Sequence, residues 1–504
     1  MSYKKVTLLV IFFSTLIRIF LAVQLELGND EVYYWLYAKY PDLSHFDHPP
    51  FVGFFIQLFT FDLYFDSELA IRLASIIPAS ISMYIVFLIG TYLRDEKIGF
   101  ISVLLYNISI YGFILSGLFI LPDTPLVLFW LLSFYFLLQA LPKVPSKYSR
   151  FKLFIAFFFI GVAIYSKYQA FFLLFGVALY VLFINRDWLK DWSLYIALLL
   201  PTSFILLIFL WNYNNEFISY TFHNNRVSLF SLNFNKDSFL REWLGQILYS
   251  NPYIYIMIVV MFMSLIRKKT TIQRGVLWMF LFFSLPLIFV TSYLSLFRDT
   301  LPHWCGISYI TLLPLLAIFI ENRRNIERNL KIGFSVFTVF TIVASFVVNN
   351  GWFLTRQTPD KKEQYGRNDV ILDVYGWKQA SKKVSNFLKA EKLNNLPIVS
   401  DKWYPAAHID YYIARLNHMN VYGLGELTNI HKYYWINKEL PPIENYKEHL
   451  YITDSRNYRH PKEVYVNGYK EYELLSEFPI NRAGQIVKYV FLYRLKKDSY
   501  KIEY

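Results

Sequence analysis

Apolar residues run in long unbroken stretches from Val6 to about residue 350, and in short mixed stretches thereafter. A helix needs about 20 apolar residues to cross the hydrocarbon of a bilayer. The stretches predict eleven spans, at roughly 6–26, 68–93, 98–117, 122–141, 152–166, 168–185, 192–211, 249–266, 275–296, 303–320 and 332–350. Only a tight turn at Ser166-Lys167 separates the fifth from the sixth. Segment 49–63 is apolar but short, and predicts a re-entrant or interfacial helix. The first stretch is too long for a signal-peptide core, and Gln24-Leu-Glu-Leu-Gly28 is a poor cleavage site, so an uncleaved first helix is expected. After Gly351 nothing is long enough to span. There Trp377 to Leu393 predicts an amphipathic helix and Pro397–Ser400 a short buried strand. Val464–Gly468 and Ile486–Tyr493 predict further strands, the first ending at an Asn-Gly turn. The expected fold is mainly α: a polytopic membrane helical bundle over 1–350 with a soluble C-terminal α/β domain over 351–504.

Basic residues orient this bundle. Eighteen Lys and Arg lie at the predicted cytoplasmic ends, among them Lys4, Lys5, Arg94, Arg150, Lys152 and Arg323, against six in the predicted outer loops. That bias follows the positive-inside rule. It puts the N-terminus in the cytoplasm of a multi-pass inner (plasma) membrane protein. An odd number of spans then places the C-terminal domain on the periplasmic or extracellular side. Composition agrees: 55% of residues are hydrophobic and 17% charged, where a soluble domain carries about 25% charged residues. The net charge of +13 sits in short loops between apolar runs, so it does not indicate nucleic acid. A lone cysteine, Cys305, excludes an intramolecular disulfide and cysteine-rich metal centres.

The chemistry gathers at the predicted outer face. Its loops read Gly28-Asn-Asp-Glu-Val-Tyr-Tyr-Trp35 with Phe46-Asp-His-Pro-Pro50, Leu121-Pro-Asp-Thr-Pro125, Tyr165-Ser-Lys-Tyr168, a polar loop with His223 and Arg226, and Phe297-Arg-Asp-Thr-Leu-Pro-His-Trp304. Ionisable residues at a bilayer edge are costly and point to function. Each has a plainer reading. Asp30-Glu31 fits a helix cap or a general base with a supporting acid. Asp47-His48-Pro49-Pro50 fits a turn, and Asp123 a cap on the fourth span. Lys167, between spans with almost no loop, fits a snorkelling cation or a charge with an anionic partner. Arg298 fits a headgroup contact and His303 an interfacial belt. Together, carboxylates and cations here suit transfer from a lipid-borne phosphate to an acceptor hydroxyl: one carboxylate takes the proton, and cations stabilise the phosphate leaving group.

The order of these pieces resembles the glycosyltransferases of the GT-C fold, nearest the bacterial relatives of dolichyl-phosphate-mannose protein mannosyltransferases and lipid A aminoarabinose transferases. Asp30–Trp35, Phe46–Pro50, Leu121–Pro125, Ser166–Tyr168, Trp211-Asn212 and Leu301–Trp304 carry the resemblance, and Asp401 with Ala406-Ala-His408 resembles the start of the family's outer domain. It implies inverting transfer of a sugar from a polyprenyl-phosphate carrier, undecaprenyl phosphate in a bacterium. It implies Asp30 as base beside Glu31, Asp123 as a second catalytic acidic residue, and His48, Lys167 and Tyr168 near the carrier phosphate. Asp47, Arg298 and His303 are implied at that phosphate or at the acceptor. No cofactor is required, although a divalent ion at Glu31, Asp47 and His48 fits some members. His48 stands where aminoarabinose transferases carry Lys, and the tail is not a β-trefoil insert. The acceptor therefore stays open among lipid A and its core sugars, another glycan, or a protein. Two readings without transfer remain: a flippase for lipid-linked sugars, which predicts polar residues along mid-span and two related halves, and a scaffold that binds through its tail.

Overall fold

The computed structural model describes residues 1–227, 233–267, 272–352, 359–466 and 468–497, with only the backbone of 225–227. The helices are α1 Tyr3–Gln24, α2 Asn29–Lys39, α3 Phe51–Thr60, α4 Glu68–Leu93, α5 Glu96–Ile108, α6 Asp123–Ala140, α7 Lys147–Ile164 and α8 Phe171–Phe183. They continue with α9 Trp192–Asn214, α10 Ile218–Val227, α11 Lys236–Ser250, α12 Pro252–Ile266, α13 Arg274–Leu294, α14 Gly306–Ile320 and α15 Ile326–Asn350. Every apolar stretch expected to span carries a helix. Seven helices of the described residues are long and apolar enough to cross a membrane, or eight if α11 and α12, bent by 100° at their junction, are counted as one span. The chain is a multi-pass membrane protein.

Local chemistry sets the helix starts. Ser67, Asp95, Ser146, Asp191, Asn235 and Asn251 each accept a backbone N–H of the first turn of α4, α5, α7, α9, α11 and α12, which satisfies a donor the helix cannot. The stretch expected at 98–117 is not one helix. α5 stops at Ile108, Ser109 is extended, and a π-turn follows at Tyr111–Leu115. The carbonyls released there find partners: Asn251 Nδ2 donates to Ile108 O at 2.9 Å, and Arg18 of α1 donates to Phe113 O at 3.1 Å. Arg18 is fully buried, and its guanidinium lies 4.2 Å from the Phe113 ring centre.

The chain forms two compact units, residues 1–20 with 41–339 and residues 21–40 with 340–504. In the first, α6 and the span Pro302–Ile320 are the inner helices, with 78% of their apolar windows buried, whereas α9 is 28% buried. Outer helices present Phe12, Phe13, Leu199 and Phe289 outward, as a lipid-facing surface requires. α4 and α5 approach through two glycines: a Cβ on Gly90 would lie 2.7 Å from Gly99 Cα.

The second unit holds a mixed five-stranded sheet, order β2-β1-β3-β5-β4, from β1 Ile398–Ser400, β2 Val421–Gly423, β3 Glu448–Asp454, β4 Tyr469–Arg482 and β5 Gln485–Lys497. β1 pairs in parallel with both β2 and β3, and β5 is antiparallel to β3 and β4. Val399, Tyr422, Tyr451, Phe491 and Leu495 form one of its cores. α16 Trp377–Ala390 matches the expected amphipathic helix, and α17 Trp403–Ile409 follows β1. The strand expected at 464–468 is absent among the described residues. Pro461–Val464 is a helical turn, because Pro461 takes the first position and the His460 ring accepts from Lys462 N; Asn467 lies outside the described residues. Residues 21–40 belong here by their bonds. Glu26 accepts from the backbone N–H of Trp377 and Lys378, Leu27 N donates to Tyr412 Oη at 2.7 Å, and Lys39 pairs with Asp410 at 2.9 Å.

Candidate functional site

The first unit builds its polar centre where three helices start or stop. Lys167 sits at the break between α7 and α8 with extended backbone. Asp123 lies in the first turn of α6. Their side chains meet at 2.6 Å, each only 3% exposed. The second carboxylate oxygen of Asp123 accepts from Tyr111 Oη at 2.8 Å. Tyr111 comes from the π-turn, and it fits because position 306 has no side chain: a Cβ on Gly306 would lie 2.3 Å from the Tyr111 ring. His303, in the turn before α14, is close enough to Asp123 and Lys167 to feel both charges.

A second layer is contributed by the loop before α3. Tyr165 Oη donates to Leu43 O at 2.7 Å, and Phe51 N donates to Tyr165 O at 3.3 Å. These bonds tie residues 43–51 to the end of α7, just ahead of Lys167. His223 of α10 meets Asp47 O through Nε2 at 2.9 Å, and its ring centre lies 5.2 Å from Tyr168 and 6.5 Å from His48. Burial pushes the His48 imidazole down to about 3; Asp47 opposes this, and Lys167 and His223 add to it. His48 is therefore neutral at physiological pH and offers one N–H and one lone pair. This layer thus brings Asp47, His48, Tyr168 and His223 together, and Lys167 of the ion pair acts on His48.

The other expected residues are carried by other elements. Asp30 and Glu31 are in the first turn of α2, in the second unit. Glu31 is buried and accepts from Gly28 N at 2.9 Å, a capping contact; Asp30 is exposed. Arg298 follows α13, and its carbonyl accepts from Ser238 of α11. The Arg226 side chain lies outside the described residues. Among the described residues no group of three or more His, Cys, Asp or Glu is arranged to hold a metal ion. The sequence offered little sign of Tyr111 and Gly306, which sit in apolar spans. It also hid another buried carboxylate of the first unit, Glu242, which accepts from Thr300 at 2.7 Å and from Gln246 at 2.8 Å.

Residues 47–211, about a third of the chain, match the family model described as dolichyl-phosphate-mannose-protein mannosyltransferase. The matched segment contains His48, Tyr111, Asp123, Lys167 and Tyr168. Against curated proteins the chain shows no match. In fold it is similar to the crystal structure of ArnT from Cupriavidus metallidurans in the apo state, with a TM-score of 0.63 at 10% identity, covering 97% of this chain and 98% of that one. The same protein bound to undecaprenyl phosphate gives 0.62 at 12% identity, covering 98% of each chain. The archaeal oligosaccharyltransferase AglB from Archaeoglobus fulgidus, in complex with an inhibitory peptide and a dolichol-phosphate, gives 0.45 at 12% identity, covering 100% of this chain and 75% of that one. The chain has the GT-C fold, a membrane helical bundle with a small sheet-containing C-terminal region.

Proposed function

We propose that this chain is an integral membrane glycosyltransferase that moves a sugar from a polyprenyl-phosphate carrier to an envelope acceptor: lipid A or its core, another glycan, or a protein. The observation that carries this reading is the buried Lys167–Asp123 pair, which lies with His48 inside the segment that matches the dolichyl-phosphate-mannose-protein mannosyltransferase family model. A paired ammonium with the neutral His48 imidazole near it suits a phosphate that must be held and then released with extra charge. In the reaction the acceptor oxygen attacks the anomeric carbon from the face opposite the phosphate. The bond from that carbon to the phosphate oxygen breaks, and the carrier phosphate leaves with the electron pair. Lys167 stabilises the charge it gains, and His48, Tyr168 and His303 donate hydrogen bonds. Asp30 takes the acceptor proton, Glu31 fixes the turn that carries Asp30, and Asp123 holds Lys167 in place. Arg298 and Asp47 serve the phosphate or the acceptor. No cofactor is consumed. We assign the bundle to the inner membrane with its N-terminus cytoplasmic, and residues 351–504 to the outer side.

The test is transfer of label from radiolabelled undecaprenyl-phosphate sugars to total envelope acceptors by purified protein in lipid. Wild type is expected to transfer, while Lys167→Ala and Asp30→Asn lose transfer, Asp30→Asn with normal expression. Wild-type turnover in Asp30→Asn removes the base assignment. Carrier binding with no transfer to any acceptor removes the enzyme reading.

A further inference from the structure

The parallel part of the sheet opens a second, unassigned pocket. From β1 the chain turns to β2 on one side, and it returns as β3 on the other. Connections that diverge from neighbouring parallel strands leave a crevice beyond their C-terminal ends, the usual ligand position in such sheets. Here that crevice is a cleft of about 420 Å3 between the segments after β1 and β3, within the size range of small-molecule sites.

Its lining is cationic. Arg367, Lys402, Arg456 and Arg459 face it, against the carboxylates of Glu363 and Asp401. Two of the cations are braced: Arg456 pairs with Asp373 and donates to Gly366 O at 3.2 Å, and Arg459 pairs with Asp401. Arg367 and Lys402 are exposed, and neither has a carboxylate partner among the described residues. The cleft also holds two tyrosines whose hydroxyls are already engaged. Tyr458 Oη meets Tyr493 Oη at 2.7 Å, and Tyr404 Oη accepts from Asn457 at 3.2 Å. What these side chains offer a ligand is ring surface. Guanidinium and ammonium groups for an anion, ring faces for the C–H face of a pyranose, and carboxylates for hydroxyl donors fit one ligand class. A nucleotide fits less well, because no glycine-rich phosphate loop follows either strand.

We propose that this cleft binds an anionic saccharide, a sugar ring carrying a phosphate or carboxylate group. The site goes beyond the transfer reading and stands without it. The test is calorimetric titration of the purified full chain with glucose 1-phosphate, glucuronate, neutral glucose and inorganic phosphate. A parallel arm uses vesicles bearing glucuronosyl diacylglycerol. Expected is binding of the two anionic sugars, with glucose weaker by about tenfold or more, since charge-assisted contacts are the strong ones. The Arg367→Ala/Lys402→Ala variant, which touches only exposed side chains, is expected to lose about tenfold or more of the affinity with unchanged Tm. Binding to the vesicles but not to the free sugars assigns the site to a lipid-borne saccharide, and the reverse to a soluble one. Inorganic phosphate binding as tightly as glucose 1-phosphate overturns the saccharide assignment. No binding in either arm, or affinity untouched in the double variant while its fold is intact, overturns the site.

Discussion

A lysine buried against an aspartate defines the centre of this molecule at the residue scale, and its two roles can be separated. Removing one partner leaves a buried charge uncompensated, which costs about 3–5 kcal/mol, whereas replacing both by uncharged groups is often neutral. Lys167→Met alone is thus expected to lower the Tm in detergent sharply, and Lys167→Met/Asp123→Asn to restore it. If the pair serves transfer, the double variant stays inactive although folded; recovered transfer would make the pair structural only. His48 supplies a second prediction. Its folded pKa lies below its ordinary value near 6.5, so the stability it contributes is complete above pH 6.5 and is lost as pH falls from there toward about 3. The Tm of wild type is expected to decline over that window more steeply than that of His48→Gln. A phosphate arriving beside the ring favours its protonated form. Carrier-phosphate affinity is therefore expected to rise as pH falls, by up to about tenfold per pH unit for one proton taken up, and this slope disappears in His48→Gln.

At the scale of elements, contacts that local patterning does not encode decide the geometry. α4 coincides with its apolar run because Ser67 caps its start, and it continues through Pro78 to Leu93. The 98–117 run breaks because Asn251 and Arg18, distant in sequence, satisfy the carbonyls freed at Ser109 and the π-turn. β4 was hidden for a different reason: it is an edge strand with few buried positions and carries Lys470, Glu471 and Glu473, the charge pattern that discourages edge pairing. Asp123 and Lys167 were each visible as unusual residues at the ends of apolar runs. Their meeting across 44 positions, and the Tyr111–Gly306 fit beside them, depend on which helix faces face each other. The close approach of α4 and α5 yields a prediction here. Gly99→Leu puts side-chain atoms where a Cβ already lies 2.5 Å from Phe87 O, and the overpacking is expected to cost about 1–3 kcal/mol, read as a lower Tm. The bond from Leu27 N to Tyr412 Oη gives another. Tyr412→Phe leaves a buried N–H unpaired, at about 1–3 kcal/mol, and amide exchange in residues 26–31 is expected to speed up. If Asp30 is the base, kcat falls more than KM changes.

For the whole molecule, topology is open to direct measurement, because the native cysteine, Cys305, is buried. A membrane-impermeant maleimide is expected to label Lys470→Cys in intact cells, and Lys147→Cys only after permeabilisation; the opposite pattern would invert the orientation read from the loop bases. The joining of residues 21–40 to residues 340–504 has a consequence for how the protein is made. The α2 segment leaves the ribosome early, yet the partners that hold residues 21–40 follow 351 to 385 residues later, roughly 20–75 s at ordinary elongation rates. Throughout that interval Tyr33, Tyr34, Trp35 and Tyr37, all buried in the finished protein, have no fold to enter. A nascent chain of this kind needs a chaperone or the membrane surface to shelter its first loop, and a separately expressed tail would be missing a piece of its own interior.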